Sequence, residues 1–189
     1  MNTNQPVPNH FYGVFENGEI KCRGIELRRK DSPEILVEMQ LRMIKALCRA
    51  KNERQFKSLF PKVIKILKRY IEKLKSAQIN DITITKRLSK TEYENNIPQK
   101  IIIEQLNESG WDIQPGQKIK YIIIDSENKN PKRRYTIADL YSGKIDREKY
   151  RKLMIRATSN LLLPFGVTES DISSVLDTEK QNTLKKYIV

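Results

Sequence analysis

From Phe56 to Leu74 the residues Phe56, Leu59, Phe60, Val63, Leu67, Tyr70, Ile71 and Leu74 recur every three or four positions, a spacing that one face of an α-helix collects. The opposite side carries Lys57, Lys62, Lys65, Lys68, Arg69, Lys73 and Lys75. Such a segment must bury one face and give the other to water or to a polyanion. Pro61 either kinks this helix or marks a break between a short helix and a long one. A core is within reach, because 38% of the 189 residues are apolar.

Other segments have other periods. Glu16-Asn17-Gly18-Glu19 separates two strand-like runs, Phe11–Phe15 and Ile20–Leu27, and Asn-Gly supplies the positive φ angles of a tight hairpin. Pro33, with Ser32 before it, opens a helix through Leu36, Met39, Met43, Ile44 and Leu47. Asp81–Thr85 is β-prone, and Pro98 starts a helix through Leu106 that Ser109-Gly110 ends. The turn Gln114-Pro115-Gly116-Gln117 precedes a strand over Lys118–Asp125 with Ile119, Tyr121 and Ile123 on one face. Ser126–Arg134 reads as a polar, basic loop. A last helix runs from Asp146, its cap, to Leu163, before Pro164 and Gly166. The fold class is therefore α+β.

Thirty-six Lys and Arg against 23 Asp and Glu give a formal charge of +13, which favours polyanionic partners, nucleic acid first. Many basic proteins bind no polyanion, so charge does not decide the matter. Two cysteines, Cys22 and Cys48, and one histidine cannot supply four zinc ligands, and the cysteines read as reduced small hydrophobes. The sequence lacks a run of about 18 apolar residues, and Met1–His10 lacks a basic-then-apolar targeting pattern. A cytoplasmic, nucleoid-associated protein is expected.

Tyr12-Gly13, then Arg23-Gly24-Ile25-Glu26-Leu27-Arg28-Arg29-Lys30-Asp31, resembles the end of the palm in archaeal family-B DNA polymerases. The likeness continues in order through Ile84–Ser89, Tyr93–Pro98, Gly110, Ile113–Gly116, Ile119-Lys120-Tyr121 and Leu162–Gly166. It implies a palm-edge hairpin over 1–31, a mostly helical thumb with a small β-sheet over 32–166, and a C-terminal tail over 167–189. In this family the region wraps the primer-template duplex. A thumb must hold any sequence, so it needs phosphate contacts rather than base readout. Thr85, Lys86, Arg87 and Ser89 supply that chemistry in one segment, and Tyr12 belongs to the same interface. Arg28, Arg29 and Lys30 repel one another unless an anion lies between them, either DNA phosphate or an acid such as Glu26 or Asp31. Lys132, Arg133 and Arg134 form a further basic cluster, for solvent or duplex, with Arg133 and Arg134 the candidate DNA contacts.

One departure matters: where the family has a lysine ahead of the Tyr-Gly hairpin, this chain has His10, which implies a weakened grip on the primer terminus. Nucleotidyl transfer needs carboxylates holding two divalent ions about 3.5–4 Å apart. The family's metal-binding aspartates lie upstream of its hairpin, so no catalytic or metal-binding residue is assigned here. Mg2+ is expected only in the assembled polymerase. Only ten residues precede the hairpin, which suggests the small subunit of a split polymerase, or a fragment, completed by a catalytic large part.

At the C-terminus, Gln181, Leu184, Tyr187 and Ile188 resemble a clamp-binding peptide, which one helical turn would present as a plug to a sliding clamp. The expected function is the DNA-binding part of a DNA-directed DNA polymerase. The alternative is a non-catalytic nucleic-acid-binding or scaffolding protein derived from a polymerase thumb.

Overall fold

The structure, a computed structural model, describes residues 11–185, and side chains as far as Thr178. It is α+β and divides into two compact units. One comprises the residues up to Arg29, then Leu36–Glu72, and the residues from Leu153 onwards; the other comprises Lys30–Ile35 and Lys73–Lys152. Among the described residues, no helix is long and apolar enough to cross a membrane.

The first unit opens with an antiparallel hairpin, β1 (Phe11–Val14) and β2 (Ile20–Arg23), with Phe11 opposite Arg23 and Val14 opposite Ile20. The turn is wider than a two-residue Asn-Gly turn. Gly18 alone has a positive φ, +84°, and donates to the Phe15 carbonyl at 2.8 Å, while the Phe15 N–H donates to the Glu19 carbonyl at 2.8 Å. The expected strand to Leu27 ends at Arg23. Gly24, at φ +75°, turns the chain so that Ile25 and Glu26 are buried and Glu26–Arg28 forms a single 3-10 turn.

In α1 (Glu34–Leu47), Leu36, Met39, Met43, Ile44 and Leu47 are buried at helical spacing. The segment around Pro61 is a break. A short helix α2 (Glu53–Ser58), capped by Asn52 through its Oδ1 to the Gln55 N–H at 2.9 Å, gives way to α3 (Phe60–Leu74). Pro61 sits in the first turn of α3, where its missing N–H is harmless. Phe56 stacks on Phe165 with ring centroids 4.0 Å apart, and Phe60 meets both edge-on. Met154, Ala157, Leu161 and Leu162, in the second half of α6 (Arg147–Leu162), complete the core. Within the C-terminal tail that the sequence implies beyond Gly166, Glu169–Lys185 is a helix, α7. Thr168 and Asp171 cap it reciprocally, and Ile172 and Leu176 bury its inner side.

Glu26, Gln40 and Asn160 form a polar knot inside this unit. Gln40, fully buried, donates from Nε2 to the Glu26 carboxylate at 2.7 Å and to the Ala157 carbonyl at 2.8 Å, and accepts the Leu27 N–H at 2.7 Å. Asn160 Nδ2 donates to the other Glu26 oxygen at 2.9 Å. A buried carboxylate is tolerable only with such partners.

The second unit is a three-stranded antiparallel sheet, order β3-β4-β5, from β3 (Ile84–Arg87), β4 (Lys118–Ile123) and β5 (Tyr135–Ile137). The helix α5 (Pro98–Glu108) lies against β5, where Gln105 Nε2 donates to the Tyr135 carbonyl at 3.0 Å and Gln105 Oε1 accepts the Ile137 N–H at 3.3 Å. Of the β-prone run Asp81–Thr85, the first part is helical. Asp81 accepts the Gln78 N–H at 2.9 Å and closes a single turn, α4 (Ile79–Ile82), so β3 starts at Ile84. Ile122 is buried as well as Ile119, Tyr121 and Ile123, so the end of β4 is covered on both faces.

Asp146 caps α6 as the sequence implies, accepting the Lys149 N–H at 2.8 Å, and its other oxygen accepts the Ser126 N–H at 2.8 Å. Partial burial alone would raise its pKa. The hydrogen bonds from Ser126 and Lys149 outweigh that and hold it below the usual carboxylate value. A depressed folded-state pKa contributes stability that is present above the unfolded value, about 3.9, and is lost as pH falls through the folded one. Asp146→Ala should therefore lower stability at pH 7 by about 1 kcal/mol. The gap to the parent should narrow in melts below pH 4.

Candidate nucleic-acid interface

The segment Thr85–Ser89 runs along the edge strand β3 and past its end. Leu88 is buried and clasped to the next turn, its N–H donating to the Gln117 carbonyl at 2.9 Å and its carbonyl accepting the Gly116 N–H at 2.8 Å. Gly116 has φ +91°, a conformation that Gly-specific turns supply. Its carbonyl accepts from Arg87 Nε at 3.0 Å, and a Cβ on Gly116 would stand 3.6 Å from the guanidinium. The turn thus aims Arg87 while leaving its terminal amino groups available. Thr85 is half-buried and Ser89 exposed.

The register places Arg87 directly opposite Lys118 and Thr85 opposite Lys120. Like charges across an antiparallel pair are destabilising unless an anion or acid relieves them. Lys120 has Asp139 at 3.8 Å, and Arg87 and Lys118 have no ion-pair partner among the described residues. Beside them, Ser89, Lys90, Thr91, Glu92, Tyr93, Glu94 and Pro115 line a shallow cleft of about 540 Å³. Lys90 lies over the Tyr93 ring at 5.2 Å. Nothing local in the sequence marks Lys90 or Lys118; cross-strand register, which is non-local, is what draws Lys118 in.

Lys86 is engaged within the chain, its Nζ 2.6 Å from Asp31 Oδ2, with both side chains partly covered. Asp31 is thus taken by Lys86, 55 residues away, and both Glu26 oxygens are met by amides. Arg28, Arg29 and Lys30 are exposed. The Tyr12 hydroxyl donates to the Leu161 carbonyl at 2.8 Å, and burial pushes its pKa well above that of an ordinary phenol, so it is a fixed neutral donor. Arg134 holds its own loop through Nε to the Asn128 carbonyl at 2.7 Å, whereas Arg133 is exposed. Lys132 pairs with Glu104 at 2.8 Å. His10, Tyr187 and Ile188 lie outside the described residues; Gln181 and Leu184 fall within the α7 backbone, with their side chains outside it.

Among the described residues, no three His, Cys, Asp or Glu side chains are grouped to hold a metal ion. The carboxylates here do not fit a two-ion centre, and no step through divalent ions is assigned to this chain.

Residues 10–164 match the model of DNA polymerase family B. The chain is 27% identical over 166 residues to a DNA polymerase of Pyrococcus horikoshii, covering 84% of this chain and 13% of that protein. It is 23% identical over 178 residues to DNA polymerase 1 of Saccharolobus solfataricus, covering 92% of this chain and 20% of that one. The fold is similar to the family B DNA polymerase from Pyrobaculum calidifontis, with TM-score 0.67 and 22% identity, over 86% of this chain and 21% of that one. The chain spans about a fifth or less of these relatives' length. Because the family model covers most of its residues, the chain belongs to DNA polymerase family B.

Proposed function

We propose that this chain is the part of a family-B DNA polymerase that grips primer-template duplex, the hairpin segment as far as Asp31 forming the palm edge and residues 32–166 the thumb. The observation that carries this reading is the opposed, acid-free pair Arg87 and Lys118, flanked by the hydroxyls of Thr85 and Ser89. Two cations paired across β3 and β4 with two hydroxyls beside them suit neighbouring phosphates, and none of these groups needs to read a base. Lys86 acts on this reading through Asp31, fixing the strand against the corner that carries Lys30. Arg28, Arg29, Lys30 and Arg133 add exposed cations, while Tyr12 is tied to the Leu161 carbonyl and Arg134 to the Asn128 carbonyl of its own loop.

Polymerisation itself belongs to the assembled enzyme, in which a catalytic part would bring the carboxylates and their Mg2+. The hairpin supports such a partner, because an isolated two-stranded ribbon is barely stable and leaves edge groups unpaired. A clamp contact through Gln181, Leu184, Tyr187 and Ile188 belongs to the same proposal on its sequence pattern alone.

Adding this chain to a catalytic family-B part that lacks the corresponding region should extend primers further in a primer-extension assay. No stimulation at any ratio would favour the scaffolding alternative instead. Binding of primed DNA should weaken steeply with salt, and Arg87→Ala with Lys118→Ala should lower the slope of log Kd against log salt by about 2. A slope equal to that of the parent would remove this edge from the interface.

A further inference from the structure

The Thr85–Ser89 edge does not hold most of the chain's charge. Between Lys45 and Lys75 there are eleven Lys and Arg and two acidic residues, a balance of +9 out of +13. The structure shows how part of this charge is displayed. In α3, Val63, Leu67 and Tyr70 are buried along one side, which fixes the rotation of the helix. At 100° per residue, Lys62, Lys65 and Arg69 then fall on one outward stripe, and all three are exposed. Lys65 and Arg69 are four apart and Lys62 and Lys65 three apart, pairings that destabilise a helix when the charges are alike. None of the three side chains has a hydrogen-bond or ion-pair partner among the described residues. Neighbouring segments add exposed Lys45, Arg49 and Arg54, and neither acid of the stretch is free: Glu53 is held by Lys57 at 2.6 Å, and Glu72, three residues past Arg69, is itself partnered.

We infer that the outer face of α3 is a second surface for duplex DNA, binding backbone phosphate independently of the Thr85–Ser89 edge. The ligand chemistry follows from what the stripe contains and lacks. It offers three cations over eight residues, about 10 Å along the axis. That matches the rise of about three phosphates on one strand of B-DNA. It offers no aromatic platform for unstacked bases, so a duplex fits better than a single strand. A membrane surface fits poorly, because an interfacial helix inserts its apolar side, and that side of α3 is buried in the core. The consequence is a chain that holds DNA at two places, one on each compact unit.

The test is fluorescence anisotropy of the full chain with a labelled duplex across a salt series. The variant carries Lys62→Gln, Lys65→Gln and Arg69→Gln, which keep helix propensity and remove like-charge repulsion, so its melting temperature should be unchanged or higher. The slope of log Kd against log salt should fall by about 2 to 3, and affinity at low salt by tenfold or more. The Arg87→Ala, Lys118→Ala variant is run alongside. An unchanged slope in the glutamine variant beside a reduced one in the alanine variant overturns this inference and leaves the proposed function standing. The reverse result supports the inference and removes the β3 edge. Unchanged duplex binding with lost sedimentation on phosphatidylserine vesicles would also overturn it, assigning the stripe to lipid.

Discussion

The first unit is organised by a buried carboxylate that cannot be left alone. Glu26 follows Gly24 at the point where the hairpin stops and the chain turns towards α1, and it carries its charge into the interior. A buried, unpartnered carboxylate would cost several kcal/mol. Gln40 from α1 and Asn160 from α6 each meet one of its oxygens, and Gln40 also secures the Leu27 N–H and the Ala157 carbonyl. One side chain thus joins the corner, α1 and α6, and the geometry of the exposed Arg28 and Arg29 follows from it. Removing Gln40 would strand three hydrogen-bonding groups at once, a larger loss than the mean value of one hydrogen bond suggests.

The second unit solves a different problem, which is how to present cations steadily. Arg87 is held by the Gly116 main-chain carbonyl, and Lys86 and Lys120 by the side chains of Asp31 and Asp139, so each cation has a partner that limits its motion. Exposed ion pairs contribute little to stability. Their effect here is positional, because a fork fixed at Nε keeps its remaining donors aimed outward. The phosphate-binding reading therefore rests on how the cations are held and opposed, and only secondarily on how many there are.

What the sequence makes legible is local. The heptad-like spacing in α1 and α3, the Asp146 cap, the Pro98 helix start and the β4 strand all depend on residues within a few positions of one another. The family likeness is carried by short motifs in order, and at the level of the family it agrees with the match over residues 10–164. What was not legible is set by partners far apart in the chain. β5 has three residues and is a strand only because β4 accepts it. Lys86 reads as a free phosphate ligand until Asp31 is placed beside it. Glu26 looks like a partner for the arginines next to it, and its real partners lie 14 and 134 residues away. The start of α7 is itself local, since Thr168 and Asp171 three residues on cap each other.

The central claim is that the chain captures duplex by its phosphates and is indifferent to sequence. The most direct measurement is the affinity of the full chain for several primed duplexes of unrelated sequence, each titrated from low to physiological salt. The account predicts dissociation constants that agree within about threefold at any one salt concentration and rise steeply and in parallel with salt. A preference of a hundredfold for one sequence, or binding that salt leaves unchanged, would contradict it.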